Sequence, residues 1–309
     1  MNSSELYEQA ARTIASGSRS FSAASRLMDM RTRESTVLLY TWCRHCDDVV
    51  DGQVLGHGRV VAASESAARL DQLRERTRAA CEGRPGPDPV FQGLAEVVRR
   101  HGLPAALPQE HLAGFSMDVH GTHYGTLDEL LLYCWRVAGV VGVMMARVMG
   151  VEREETLDRA CDLGLAFQLT NIARDVLEDA AAGRLYLPAD WLEEEGIRGL
   201  AGVLDPDRRD AVARVAARLV AEAEPYYLSA RAGIADLPMR CAWSIATARD
   251  VYRAIGRKVV RRGMHAWDDR IATSAVEKLW FVARGAGVAL AVPHVQSPPR
   301  PAHLFRRPL

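Results

Sequence analysis

The sequence predicts an all-α protein, and three observations support that fold class. Apolar residues recur mostly at the three- and four-residue spacing of helices, and no run alternates with the two-residue period of a strand. Hydrophobic residues make up 48% of the 309 residues, which is enough to bury a sizeable core. Short segments rich in glycine and proline separate the long periodic stretches, as between the helices of a bundle.

The periodic segments give the expected helices in chain order. They cover 5–16, 20–30, 33–51, 59–82, 89–101, 109–119, 127–149, 153–181, 189–195, 207–232, 238–261 and 272–291. Three prolines in 83–89 separate two of these helices, because proline lacks the amide donor that a helix interior needs. No breaker is long enough for a domain linker, so one domain is expected over 1–292. The proline-rich tail 293–309 is expected to be disordered.

Composition excludes several function classes. Lys+Arg and Asp+Glu are both 39, so no global field attracts nucleic acid, and no nucleic-acid partner is expected. Cys43 and Cys46 form a CxxC without a second pair, which favours buried thiols over zinc or redox chemistry. The start of the chain shows no signal peptide, and the apolar runs look too short to span a bilayer. A cytoplasmic location is expected, with contact at a membrane surface left open.

Two acidic pairs are the chemically informative motifs. Asp47 and Asp51 are four residues apart, as are Asp175 and Asp179, so on a helix each pair shares one face. A single such pair is common on solvated helices. Here both pairs lie in apolar helices, where carboxylates are costly unless a cation joins them. Facing each other across a bundle, the four carboxylates could hold a hard divalent cation such as Mg²⁺ or Mn²⁺.

An arginine lies just upstream of each pair, at Arg44 and Arg174. Guanidinium groups bind phosphate directly, and magnesium sites are often completed by substrate phosphate oxygens. The pattern therefore suits the gathering of metal around a diphosphate, and it supplies no nucleophile. The common nucleotide loops GxxxxGK[ST] and GxGxxG, the GxSxG elbow and the HExxH zinc motif are absent from the sequence.

The motifs resemble those of the squalene and phytoene synthase family over about residues 10–290. The matching segments are Ser18–Phe21, Tyr40–Arg44 with the first acidic pair, Tyr133–Gly142, Gln168–Asp179 and Gly183–Pro188. The Trp-Cys-Arg-His-Cys-Asp-Asp form of the first acidic motif looks most like the bacterial phytoene synthases. The resemblance implies an isoprenoid synthase-type helical bundle around a central cavity.

The resemblance also implies site residues, residue by residue. The residues that would hold metal are Asp47, Asp51, Asn171, Asp175 and Asp179. The diphosphate would be bound by Arg44, Arg174 and Arg184. The substrates would lie near Ser20, Phe21, Tyr40 and Gln168, and Tyr252 and Arg270 are looser matches to substrate-binding positions. Tyr133 matches a tyrosine implicated in the second half-reaction. Val137 and Gly142 lie in an apolar segment that fits a cavity wall. Its glycines either leave room for a polyprenyl chain or permit close helix packing.

The implied reaction joins two geranylgeranyl diphosphates head to head through prephytoene diphosphate to phytoene, in carotenoid biosynthesis, with Mg²⁺ or Mn²⁺ and without NADPH. Two alternatives stay open. One is a squalene or dehydrosqualene synthase acting on farnesyl diphosphate, and the other is a non-catalytic assembly factor of the same fold. Because substrate and product are hydrophobic, contact with a membrane or with neighbouring carotenoid-pathway enzymes is also expected.

Overall fold

The computed structural model describes residues 3–17, 25–51, 53–54, 57–58, 63–291 and 298–308, with side chains over 5–12, 25–50, 65–291 and 298–308. Helices dominate these ranges, which confirms the predicted fold class. The helices are α1 Ser3–Gly17, α2 Met30–Asp51, α3 Ala63–Cys81, α4 Pro89–His101, α5 Ala106–Val119, α6 Leu127–Cys134, α7 Val140–Val148, α8 Glu154–Ala181, α9 Ala189–Glu194, α10 Gly199–Leu204, α11 Arg209–Gly233, α12 Met239–Arg262 and α13 Ala275–Ala291. After α2, β1 (Gln53–Val54) pairs antiparallel with β2 (His57–Gly58).

Local sequence signals explain several helix ends. Asp88 caps α4, because its side chain accepts a hydrogen bond from the Val90 amide at 2.9 Å, and proline follows at the first helical position. Gly102 ends the same helix with φ 59°, a conformation that glycine adopts without steric cost. Thr126 caps α6 by accepting from the Glu129 amide. These caps fix where the helices begin and end, and therefore how they reach the core.

The structure differs from the predicted helices at two places. Helix α10 was not expected, because Gly199–Leu204 is short and contains two glycines. In the predicted helix 20–30, residues 26–29 form a turn, while 20–24 lie outside the described residues. Elsewhere the predicted helices are found with small shifts at their ends.

Helix α8 forms the centre of the bundle. It makes its most extensive contacts with α11, and further contacts with α7 and α12. Leu165, Ala166, Leu169 and Ala173 of α8 have no exposed surface. Most of the charged residues of this helix stand toward its two ends, so its middle is buried among the neighbouring helices.

A five-residue π-helix, Trp135–Gly139, joins α6 to α7. Such a bulge occurs frequently at functional sites, and here it falls inside the Tyr133–Gly142 segment. The whole stretch Leu127–Val148 is long and apolar enough to cross a membrane by length and composition. More than half of that window is buried inside the bundle, including the fully buried Trp135 and Met144. In this fold it is a core element.

Residues 298–308, which fall in the tail expected to be disordered, pack on the bundle instead. Arg300 donates two hydrogen bonds to the Asp162 carboxylate, from Nε at 2.8 Å and from Nη2 at 2.7 Å. Arg307 pairs with Asp158 at 2.6 Å, and Leu304 is buried. The proline-rich composition concealed this order because the partners of the arginines lie on α8, far away in the chain.

Candidate active site

A central cavity of about 1030 Å³ lies between α2, α5, the α6–α7 segment, α8, α12 and α13. Fourteen of the predicted site residues have described side chains, and all of them line it. They are Tyr40, Arg44, Asp47, Tyr133, Val137, Gly142, Gln168, Asn171, Arg174, Asp175, Asp179, Arg184, Tyr252 and Arg270. Ser20, Phe21 and the side chain of Asp51 lie outside the described part of the chain. The structure thus brings together residues separated by more than 200 positions in sequence.

The first acidic motif reaches the cavity from the end of α2. Arg44 bridges Asp47 at 3.0 Å and Asp48 at 2.8 Å, which is the geometry of residues three and four apart on a helix. The side chain of Asp47 is 42% exposed, so solvent and an entering ligand can both reach it. Asp47 lines the cavity, whereas Asp48 is held beside it by the shared arginine.

The second motif enters from α8 and is more deeply buried. Arg174 donates through Nε and Nη2 to both oxygens of Asp175, the first at 2.7 Å. Burial, together with the negative charge of Asp175, raises the pKa of Asp179 to about 7. The Asn171 Oδ1 atom is buried without a hydrogen-bond donor among the described residues. A cation bound here would stabilise the ionised form of the Asp179 carboxylate and would provide a partner for the Asn171 amide oxygen.

The donor set therefore fits a hard divalent metal, because it consists of carboxylate and amide oxygens. Within the described side chains, no three His, Cys, Asp or Glu residues form a cluster that could hold a metal ion by themselves. An ion at this place would thus need further oxygens, and water and a bound diphosphate can supply them. This matches a metal site that is completed by its substrate.

A group of tyrosines surrounds a carboxylate at the same end of α8. Tyr133 donates to one oxygen of Asp118 at 3.1 Å, and Tyr186 donates to the other at 2.9 Å. The Tyr133 and Tyr186 rings stack with their centroids 5.1 Å apart, and the centroid of the Tyr124 ring lies 5.3 Å from that of Tyr133. Burial and the charge of Asp118 raise the pKa of Tyr133 well above its usual range. Tyr133 is thus a neutral hydroxyl held in a fixed direction.

The apolar part of the cavity decides between the two interpretations of the glycines. Val137 and Gly142 both line the cavity. A Cβ on Gly142 would, however, overlap the carbonyl oxygen of Ala160 on α8, and one on Gly139 would meet Leu165 at 2.9 Å. Glycine at these two positions therefore allows the helices to pack closely. Val137 and its larger neighbours form the wall of the cavity.

Sequence reasoning did not assign roles to several cavity residues. Asp118 stands alone in an apolar helix, and Lys278 follows Glu277 in an ordinary pair of opposite charges on α13, so neither has a pattern to mark it. Phe167 stacks on Tyr252 with ring centroids 4.2 Å apart, yet a phenylalanine in an apolar helix reads as core filler. Cys46 is buried, whereas Cys43 is half-buried and lines the cavity.

Comparison with known proteins places this cavity in a family. A family model described as squalene/phytoene synthase matches residues 14–277, and the chain belongs to that family. It is 53% identical over 310 residues to the 15-cis-phytoene synthase of Pantoea ananas, with both chains fully covered. It is 51% identical over 310 residues to the phytoene synthase of Pseudescherichia vulneris, again over the full length of both.

A crystal structure of a dehydrosqualene synthase in complex with ligand has the same fold. Its TM-score is 0.83 at 25% identity, covering 94% of this chain and 98% of the other. The predicted family and the isoprenoid synthase-type helical bundle are confirmed.

Proposed function

We propose that the protein is a phytoene synthase, a prenyltransferase that condenses two geranylgeranyl diphosphates head to head. One observation carries the proposal: both acidic motifs, the arginines beside them and a long apolar wall line the same cavity. Its volume of about 1030 Å³ lies just above the range of about 300–1,000 Å³ for small-molecule pockets, which suits long polyprenyl chains. The full-length phytoene synthases at 51–53% identity support the same reaction.

The polar part of the cavity has the groups that a departing diphosphate needs. Asp47, Asn171, Asp175 and Asp179 would hold Mg²⁺ or Mn²⁺, with Asp51 as a further predicted ligand. When bound, the metal supplies Lewis-acid stabilisation of the negative charge that develops on the leaving group. Arg44, Arg174 and Arg184 offer guanidinium donors to the same diphosphate.

The apolar part protects the carbocation that diphosphate departure leaves behind. Side chains such as Val137, Val141 and Leu163 line the cavity and keep water from the allylic carbon. The stacked rings of Phe167 and Tyr252 present π faces that stabilise positive charge. The Tyr133 hydroxyl, which donates to Asp118 at 3.1 Å, would act in the second half-reaction, on the cyclopropyl intermediate.

A product assay tests the proposal. Purified protein is incubated with geranylgeranyl diphosphate and Mg²⁺, and the lipid extract is analysed by chromatography. Phytoene is the expected product. Farnesyl diphosphate, with and without NADPH, distinguishes the squalene and dehydrosqualene alternatives by chain length and saturation. Failure to release diphosphate from any of these substrates would favour the non-catalytic assembly factor.

The metal assignment has its own test. Replacing Asp175 by Asn, or Asp47 by Asn, should lower turnover by about 100-fold or more, because each change removes charge that stabilises the reacting cluster. Asp71→Asn on an exposed face of α3 is the matched control and should leave turnover unchanged. Circular dichroism verifies that all variants are folded. Wild-type turnover in Asp175→Asn would remove this residue from the metal site.

A further inference from the structure

Helix α13 presents an apolar face to solvent. Val276 is 76% exposed, Leu279 70%, Trp280 64% and Leu290 57%. Exposed Ala283 and Gly287 fill the gap between them. These positions recur at helical spacing and form one stripe without a charged residue. A surface helix normally turns polar residues to water, so a contiguous exposed apolar stripe marks an interaction surface.

Packing fixes the direction in which this face points. On its opposite side, α13 lies against α12, where the Trp243 indole donates to the Val282 carbonyl at 2.7 Å. Arg284 lies 3.3 Å from the buried Asp250, and a Cβ on Gly285 would overlap the Thr247 side chain. These contacts fix the rotation of α13, so the apolar stripe faces away from the neighbouring described helices.

The end of α12 that lies beside the stripe is basic. Residues 251–291 carry eight Arg and Lys against three Asp and Glu, although the whole chain has no net charge. Lys258 lies 2.7 Å from Glu277, which places the basic end of α12 beside the start of α13. Arg257 and Arg261 near that end are exposed. The start of the apolar stripe thus lies beside the basic end of α12, where Arg257 and Arg261 are exposed.

We propose that this stripe and the basic end of α12 form a docking surface for an anionic phospholipid bilayer. Exposed Trp and Leu side chains suit the boundary between headgroups and acyl chains, and arginines are attracted to anionic lipids. A second copy of the chain is a poorer occupant, because a twofold interface through this face would bring the two basic regions together.

The position of α13 connects the docking surface to the cavity. Lys278 and Val282 on its inner side line the cavity, while Leu279 and Trp280 on its outer side do not. We infer that docking places the cavity wall next to the membrane that dissolves the polyprenyl substrate and product. This step rests on the proposed function. Docking itself does not depend on turnover and can be tested separately.

Vesicle flotation with the full-length protein tests the docking surface. The protein should float with phosphatidylcholine vesicles that contain phosphatidylglycerol, and much less with phosphatidylcholine alone. Leu279→Gln/Trp280→Gln should lower the bound fraction by about tenfold or more, because it removes the inserting side chains. Leu228→Gln on α11, with the native leucine 54% exposed, is the matched control and should bind like wild type.

The charge contribution is measured with a second set of variants. Arg257→Gln and Arg261→Gln should each lower binding to the anionic vesicles by about fivefold, and added salt should have a parallel effect. Arg84→Gln, remote in sequence and 72% exposed on its side chain, serves as the control.

Three results would overturn the proposal. They are no binding of the wild type to anionic vesicles, undiminished binding of Leu279→Gln/Trp280→Gln, or a dimer in sedimentation velocity that this double variant dissociates. Turnover on detergent-dispersed geranylgeranyl diphosphate should be unchanged in the double variant. If the proposed function is wrong, the wild type will show no turnover while vesicle binding remains, so the two failures can be told apart.

Discussion

His111 should make the protein acid-sensitive. Its imidazole is buried in the cavity wall, 5.5 Å from the Trp42 ring and 4.9 Å from the Phe115 ring. Nδ1 donates to the Arg136 carbonyl at 3.2 Å, and Nε2 is buried without a partner among the described residues. Burial lowers the pKa of His111 to about 4, and the hydrogen bond to the Arg136 carbonyl offsets only part of this shift.

The size of the effect follows from proton linkage. In the unfolded chain His111 binds a proton below about pH 6.5, whereas in the folded protein it does so only below about pH 4. Between these values unfolding takes up a proton, so the free energy of unfolding falls as the pH falls. Each pKa unit is worth about 1.4 kcal/mol, which gives a loss of about 3 kcal/mol across this window.

Urea denaturation followed by circular dichroism at several pH values between 7.5 and 4 measures this loss. His111→Asn replaces the imidazole by a neutral amide, so its unfolding free energy should depend less steeply on pH. The difference between wild type and variant should change by about 3 kcal/mol over the window. His123→Asn, at an exposed position, is the control and should keep the wild-type slope. Parallel pH profiles for wild type and His111→Asn would refute the reasoning.

Three further predictions concern the site and its support. Tyr133→Phe should spare the first half-reaction more than the second, so prephytoene diphosphate should accumulate relative to phytoene in a chromatographic assay. Arg300→Gln should lower the free energy of unfolding by about 3 kcal/mol, because it leaves the buried Asp162 carboxylate without its bidentate partner. Gly142→Ala should lower the free energy of unfolding by about 2 kcal/mol, because the added methyl overlaps α8. This loss is expected although alanine favours a helix by about 1 kcal/mol over glycine. Thermal unfolding measures the change in stability.

Matched variants define the results that would contradict these predictions. Equal loss of both half-reactions in Tyr133→Phe would remove its separate role. Arg306→Gln changes an exposed arginine of the same tail, and equal effects of the two arginine changes would contradict the ion-pair argument. Gly287→Ala places a methyl in open space on α13 and should be neutral or stabilising. If Gly142→Ala behaved in the same way, close packing against α8 would not be the reason for that glycine.

Much of the candidate site was readable from the sequence because its motifs are local. Helical periodicity fixes which residues share a face, so the spacing of Asp175 and Asp179 already placed both carboxylates on one side of a helix. The same holds for Arg44 and its ion pairs with Asp47 and Asp48, which are three and four residues away. Family resemblance added Tyr252 and Arg270, which have no local pattern of their own.

Other features depend on partners that are distant in the chain. Asp118 acquires its place only because Tyr133 and Tyr186, from two other segments, donate to it. The tail was misjudged for the same reason, since the carboxylate that orders Arg300 is Asp162, on another element. Composition describes a segment by itself and carries no information on such pairs.

By itself, the sequence determined the helical class and the two acidic motifs, which follow from residue spacing along the chain, and the family, which follows from the resemblance of its motifs. Only the tertiary structure decided how each group is solvated. It raises the pKa of Asp179 to about 7, buries His111 as a neutral ring and leaves the apolar stripe of α13 in water. The physical reason is that burial and electrostatic environment depend on all the neighbours of a side chain in space, and most of these neighbours come from other helices.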